Sequence, residues 1–150
     1  MVCICADIVS ENLLKKSVSG NIVKMSQDIV ADGLNEIKNA RRAGKKTVII
    51  RRISKLLVEV LKIMKQKGAV ERYKIDKSGK ELDITLGKME ECKSIKPRFS
   101  VNKSEIEKYR RRYLPSRNIG TMIISTNKGL MTHEEAQKEQ IGGCLLAYFY

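Results

Sequence analysis

The sequence predicts an α/β (α+β) protein of two small units: a helix–strand–helix–hairpin, then a mostly β unit with short helices. Three observations predict it. Ile29, Val30, Leu34, Ile37 and Ala40, and then Leu57, Val58, Leu61 and Met64, recur at spacings of mostly three and four, the period of core-facing helices. Leu82, Ile84 and Leu86 alternate with Asp83 and Thr85, the period of a half-buried strand. After residue 94, apolar runs at 95–101, 121–125 and 145–150 read as strands joined by capped short helices.

In chain order, residues 1–24 read as a mobile extension, or a helix ordered only by a partner. The first unit, 25–87, opens with a helix from Ser26, ended by Gly44 after Arg41 and Arg42 at the favourable end of the helix dipole. Residues 47–50 form a strand by their branched content, and Ser54 caps a second helix that Gly68 terminates. Val70, Tyr73 and Ile75 lead through a polar turn to the Leu82 strand as a hairpin. Residues 87–94 link to the second unit, 88–150. Pro97 interrupts its first strand and suits an edge. Asn102 with Glu105 reads as a capping box for a helix ending before Pro115, and Thr132 with Glu135 as another. Gly142-Gly143 breaks before the final strand, which is expected to be pinned into a sheet.

The chain carries 30 Lys and Arg against 17 Asp and Glu, a formal charge of +13 over 150 residues. That excess points to a polyanionic partner. Nucleic acid is favoured over a membrane, because no long basic amphipathic helix or lipidation motif accompanies it. A hydrophobic content of 42% argues against whole-chain disorder. The opening residues, interrupted by Asp7 and without a basic head, do not read as a signal peptide, and no apolar run is long enough to span a membrane. Cys3, Cys5, Cys92 and Cys144 are expected as reduced thiols of an intracellular protein.

Eight cations lie between Ile37 and Val58 with no acid among them: Lys38, Arg41, Arg42, Lys45, Lys46, Arg51, Arg52 and Lys55. Folding is expected to bring them to one end of the first unit as a phosphate-contacting surface. A second patch, Arg110, Arg111 and Arg112 between Tyr109 and Tyr113, continues to Arg117. The two tyrosines, four apart on a helix, read as packing. Two Phe, five Tyr and no Trp supply little for a stacking platform, so folded RNA read by shape, phosphate and ribose fits better than single strands.

Ser125, Thr126, Asn127, Lys128 and Gly129 place hydroxyls, a carboxamide, a cation and a glycine after an apolar strand and before a Thr132-capped helix. This is good chemistry for an RNA backbone and poor chemistry for catalysis. No enzyme is expected. The single histidine, His133, reads as a surface or capping residue, and Glu134 and Glu135 as helix-start carboxylates. Cys3 and Cys5 lack a second ligand pair and no carboxylates cluster, so neither metal, cofactor nor small-molecule substrate is expected.

Several segments recur together in one known family. They are Gln27-Asp28 with Ala31-Asp32, Ile37-Lys38-Asn39-Ala40, Ser54-Lys55-Leu56, Lys96-Pro97-Arg98-Phe99, Leu114-Pro115-Ser116-Arg117 with Gly120, and His133-Glu134-Glu135-Ala136 followed by Gly142-Gly143. In order and spacing, from residue 25 onward, the chain resembles the small-subunit ribosomal protein S8 family in its archaeal and eukaryotic form. The later segments look like the cytosolic eukaryotic (40S) branch.

The resemblance implies a structural constituent of the small subunit, cytoplasmic in the ribosome, with assembly beginning in the nucleolus if the source is eukaryotic. It implies binding to a central-domain helix of small-subunit rRNA beside neighbouring ribosomal proteins, in support of assembly and translation. In the family a Ser-Thr-Ser-x-Gly turn meets the RNA minor groove, and the Ser-Lys region with its preceding basic turn adds backbone contacts. Carried over, these roles fall on Ser125, Thr126, Asn127, Lys128 and Gly129, and on Ser54 and Lys55. The reading of charge adds Arg51, Arg52, Lys45, Lys46, Arg41, Arg42, Arg98 and Arg117. Two departures stand out: Asn127 where the family usually has serine, and residues 1–24 ahead of its usual start. The alternative function is a free RNA-binding translational regulator using the same surface.

Overall fold

The computed structural model describes residues 28–76, 79 and 81–150. The expected extension and the Ser26 helix start lie outside them. Helix α1 (Ile29–Arg42) opens on Asp28, whose carboxylate accepts the Val30 and Ala31 N–H groups at 3.1 and 3.3 Å. It buries Val30, Leu34 and Ile37, and ends two residues before Gly44, with Ala43 as its C-cap. Strand β1 (Thr47–Ile50) follows, then α2 (Lys55–Gln66), where Ser54 Oγ accepts the Leu57 N–H at 3.1 Å. Val60 and Ile63 join Leu57, Leu61 and Met64 in its buried stripe, whereas Val58 is only half-buried. Strands β2 (Val70–Ile75) and β3 (Leu82–Leu86) form the expected hairpin, and β3 is the centre of an antiparallel sheet ordered β1-β3-β2.

The second sheet departs from expectation at its edge. The segment read as a linker contains a strand, β4 (Cys92–Ser94), while only Ser100–Val101 (β5) of residues 95–101 is strand. Both pair with β8 (Gly143–Phe149), β4 at Ala147–Phe149 and β5 at Gly143 and Cys144. Helix α3 (Ile106–Tyr113) starts a turn later than the capping box would place it. The Asn102 N–H donates to the Glu105 carboxylate at 3.2 Å, but Glu105 itself is the N-cap and makes no side-chain bond to the helix. Strand β6 (Thr121–Thr126) turns into β7 (Gly129–Thr132), which the sequence reading missed by running the turn straight into the helix. Only then does α4 (His133–Lys138) begin, with the expected Thr132–Glu135 box formed in both directions. The full order is β4-β8-β6-β7, with β5 on β8.

The sheet is buried on both faces. Met122, Ile124 and Leu145 pack with Val101, Ile106, Met131 and Ala136 beneath α3 and α4. Ile123, Leu146, Ala147 and Phe149 join the α1, α2 and β3 side chains instead. The register skips Leu146 between Ile123 and Ile124, a bulge that turns Leu146 and Ala147 toward the same core. Tyr109 packs its ring on Phe99 and Tyr113 on Tyr148, each at 5.5 Å, as the packing reading expected. Among the described residues, no helix is long and apolar enough to cross a membrane.

Candidate nucleic-acid interface

Strand β8 defines two ends of the molecule. Cys144 lies between Ser125 and Ser100, and Phe149 between Thr121 and Cys92. Five residues of strand separate them, about 17 Å. Helix α1 runs antiparallel to residues 89–98: Arg41 Nε donates to the Met89 carbonyl at 2.7 Å, Lys38 pairs with Glu91, Cys92 Sγ donates to the Leu34 carbonyl, and Lys96 and Arg98 reach Asp28 at 3.4 and 3.3 Å. The start of α1 therefore lies at the Ser125 end and its close at the Tyr150 end.

The β6–β7 turn forms the tip of the Ser125 end. Thr126 Oγ1 donates to the Gly129 carbonyl at 3.0 Å and accepts the Lys128 N–H at 3.2 Å, bracing the turn from within. Asn127, Lys128 and Gly129 are exposed, and Lys128 Nζ is held by Glu139 at 2.7 Å. Gly129 has φ +122°, in a region that side-chain-bearing residues avoid. Helix α2 packs on β7, and Lys67, just past α2, pairs with Glu134, just past β7, at 2.8 Å. The two elements thus run in the same direction. Their starts, Ser54 with Lys55 and Gly129, therefore both lie toward the Ser125 end, and Leu56 and Leu130 pack on the same core.

Arg51 and Arg52 sit on the same end, because β1 runs back along α1. Their charges lower the pKa of Glu36, which partial burial and Asp32 together still hold above the ordinary carboxylate value. Arg98 belongs here through Asp28. Burial raises the Asp28 pKa, but the Ala31 N–H, Lys96 and Arg98 outweigh it and the carboxyl ends below its usual range. Lys96 was not singled out as a contact residue, although a cation on each side of Pro97 was the signal that could have found it.

The basic run does not gather at one end. Arg41 and Arg42 lie toward Met89 and Glu91, and Lys45 and Lys46 sit at the opposite end of β1 from Arg51 and Arg52. Strand β1 is extended chain, so Lys46 and Arg51 stand about 16 Å apart. Arg117 is separate again, paired with Glu107 at 3.2 Å. His133 is not a surface residue. It is 2% exposed, its Nδ1 accepts the Met122 N–H at 3.2 Å, and burial pushes its pKa below the ordinary value. Among the described residues, no three His, Cys, Asp or Glu side chains are grouped to hold a metal ion. The Ser125 end offers short donors and acceptors on a tip braced by Thr126 and flanked by cations, a surface that can approach an RNA groove and its phosphates without chemistry of its own.

Comparison with known proteins gives the family. A family model described as Ribosomal protein S8 matches residues 28–150. Similar proteins include the "Small ribosomal subunit protein uS8" of Nanoarchaeum equitans, 45% identical over 129 residues, covering 84% of this chain and all of the relative. The protein of the same name from Archaeoglobus fulgidus is 40% identical over 129 residues, with the same coverage. The chain belongs to the ribosomal protein S8 family.

Proposed function

We propose that the protein is a structural, non-enzymatic constituent of the small ribosomal subunit, working in the cytoplasm as part of the ribosome. It binds a helix in the central domain of small-subunit rRNA with its Ser125 end and supports subunit assembly and translation beside neighbouring ribosomal proteins. The observation that carries this reading is the placement of Ser54, Lys55, Arg51, Arg52 and Arg98 toward the same end of the molecule as the Ser125, Thr126, Asn127, Lys128 and Gly129 tip. The tip reads ribose and minor-groove groups, and the cations hold the phosphates on either side. Membership of the eukaryotic 40S particle, with nucleolar assembly, is the finer form of the proposal, supported by the segments from Lys96 to Gly143. The N-terminal unit, 25–87, and the C-terminal unit, 88–150, then act as two supports for one binding end, with residues 1–24 an extension outside both.

The test is fractionation of cells expressing the tagged full chain. Cosedimentation with small subunits through high salt, with central-domain rRNA recovered after crosslinking, supports the proposal. A free pool carrying chiefly one messenger RNA overturns it in favour of a regulator.

A further inference from the structure

Three guanidinium groups converge on one carboxylate oxygen at the flank of α3. Arg110, Arg111 and Arg117 stand 3.1, 3.6 and 3.2 Å from Glu107 Oε1. Three positive charges thus share one negative charge. Arg110 Nε, sealed from solvent, has no hydrogen-bond partner. The guanidiniums line a hollow of about 250 Å³ whose other walls are Leu114, Pro115 and Ser116. Pro115 also lines the adjoining groove, of about 470 Å³, with Arg41, Lys88, Ile119 and Tyr150. The hollow therefore lies on the side of the Tyr150 end, away from the β6–β7 turn, beside a groove that carries Glu90 as well as its two cations.

We propose that this hollow is a second RNA site, a cradle for a backbone phosphate of a strand other than the one held at the Ser125 end. A phosphodiester carries its charge on two oxygens with lone pairs to spare, so it can accept from several forked guanidiniums where one carboxylate oxygen is overcommitted. Arg111 and Arg117 are exposed and can swing from Glu107 to the ligand, while Arg110 stays fixed against the helix. Glu107 acts as a stand-in anion that keeps the cations assembled when no RNA is present. The site reads no base. It gives the protein a second grip, so two RNA segments can be held at once.

This proposal rests on the RNA-binding function proposed for the Ser125 end, and the test separates the two. Full-length protein is titrated with a central-domain rRNA helix and with a scrambled duplex at several salt concentrations. The Arg111→Ala/Arg117→Ala variant should lose roughly three- to tenfold in affinity for the scrambled duplex, with the salt slope reduced by about 0.7–0.9 for each phosphate no longer neutralised. Glu107→Gln should act in the opposite sense and bind the scrambled duplex more tightly, by more than exposed Glu59→Gln, which removes the same charge from another face. Wild-type protein saturated with the central-domain helix should still capture the second duplex. Duplex binding by Glu107→Gln no tighter than by Glu59→Gln overturns the cradle even if the wild type binds RNA well. Failure of the wild type to bind either RNA overturns the functional reading itself.

Discussion

His133 Nδ1 accepts the backbone N–H of Met122, with both residues in the interior at 2% and 0% exposure. The one histidine of the chain therefore serves as a buried acceptor joining α4 to β6, and it has to be neutral to do so. Burial is the main cause of its lowered pKa, and the Glu134 charge opposes it. The unfolded chain takes up a proton near the ordinary value of 6.5 that the folded chain refuses. Stability contributed by His133 is thus full above that value and is lost as pH falls through the lower folded pKa.

Two variants test this. His133→Leu leaves the Met122 N–H buried and unpaired, at a cost of about 1–3 kcal/mol. His133→Asn keeps an acceptor and should cost less, while flattening the dependence of the urea midpoint on pH below about 6.5. Equal midpoints for the two variants would remove the hydrogen bond from the account.

At the turn, Thr126 has two duties to separate. Thr126→Ala removes both bonds within the turn and should cost about 0.5–1.5 kcal/mol in unfolding free energy, together with affinity for the cognate rRNA helix. Thr126→Ser should restore both. A stability loss with unchanged RNA affinity would leave Thr126 as a turn-bracing residue only. Gly129→Val forces a branched side chain to φ +122° and should cost about 1–3 kcal/mol, read from the thermal midpoint.

The split of the basic run makes a quantitative prediction. Arg51→Ala/Lys55→Ala should weaken specific and scrambled RNA alike and flatten the salt dependence by about 0.7–0.9 for each phosphate that the variant ceases to neutralise. Lys45→Ala/Lys46→Ala acts at the other end of β1. The two double variants should therefore be additive in binding free energy, within about 0.5 kcal/mol. Strong coupling between them would show that one phosphate track spans the whole strand.

Cys92 is wholly buried, its Sγ donates to the Leu34 carbonyl at 3.3 Å, and burial pushes its thiol up to about 12. At pH 8 it should resist alkylation in the folded protein and react only as fast as the chain unfolds. Peptide mass spectrometry of a time course checks this. Labelling of Cys92 under native conditions at the rate of half-buried Cys144 would mean that α1 separates readily from β4.

Much of the first unit was legible because each of its elements carries a local signal: the Ser54 cap, the alternation through Leu82, Ile84 and Leu86, and glycines just beyond both helix ends. Thr132 and Glu135 were legible for the same reason. What sequence alone could not supply was the pairing of distant strands. β4 and β5 are too short to show a period, and both exist because β8 offers them an edge. The turn residues were identified by their chemistry, but β7 was hidden, since Gly129 to Thr132 is too brief to alternate. The opposite placement of Arg51 and Lys46 also escaped, because a run of like charge says nothing about the direction of the strand inside it. His133 was misread for want of any sequence signal for burial at the start of so short a helix.

Strand β8 follows every other strand in chain order, yet it is the one on which β4, β5 and β6 all depend. During vectorial synthesis, then, a chain that has emerged only as far as α4 can form its helices and hairpins but cannot close the second sheet. Ile123 and Met122 wait on opposite faces of a strand with a missing neighbour, and both cores stay unfilled until Leu145, Leu146, Ala147 and Phe149 arrive. Such late, long-range closure is slow and leaves strand edges open to misassociation. An RNA that grips the tip of β6 and β7 early would hold the unfinished sheet in register, so the nucleic acid would serve as a folding template as well as a binding partner.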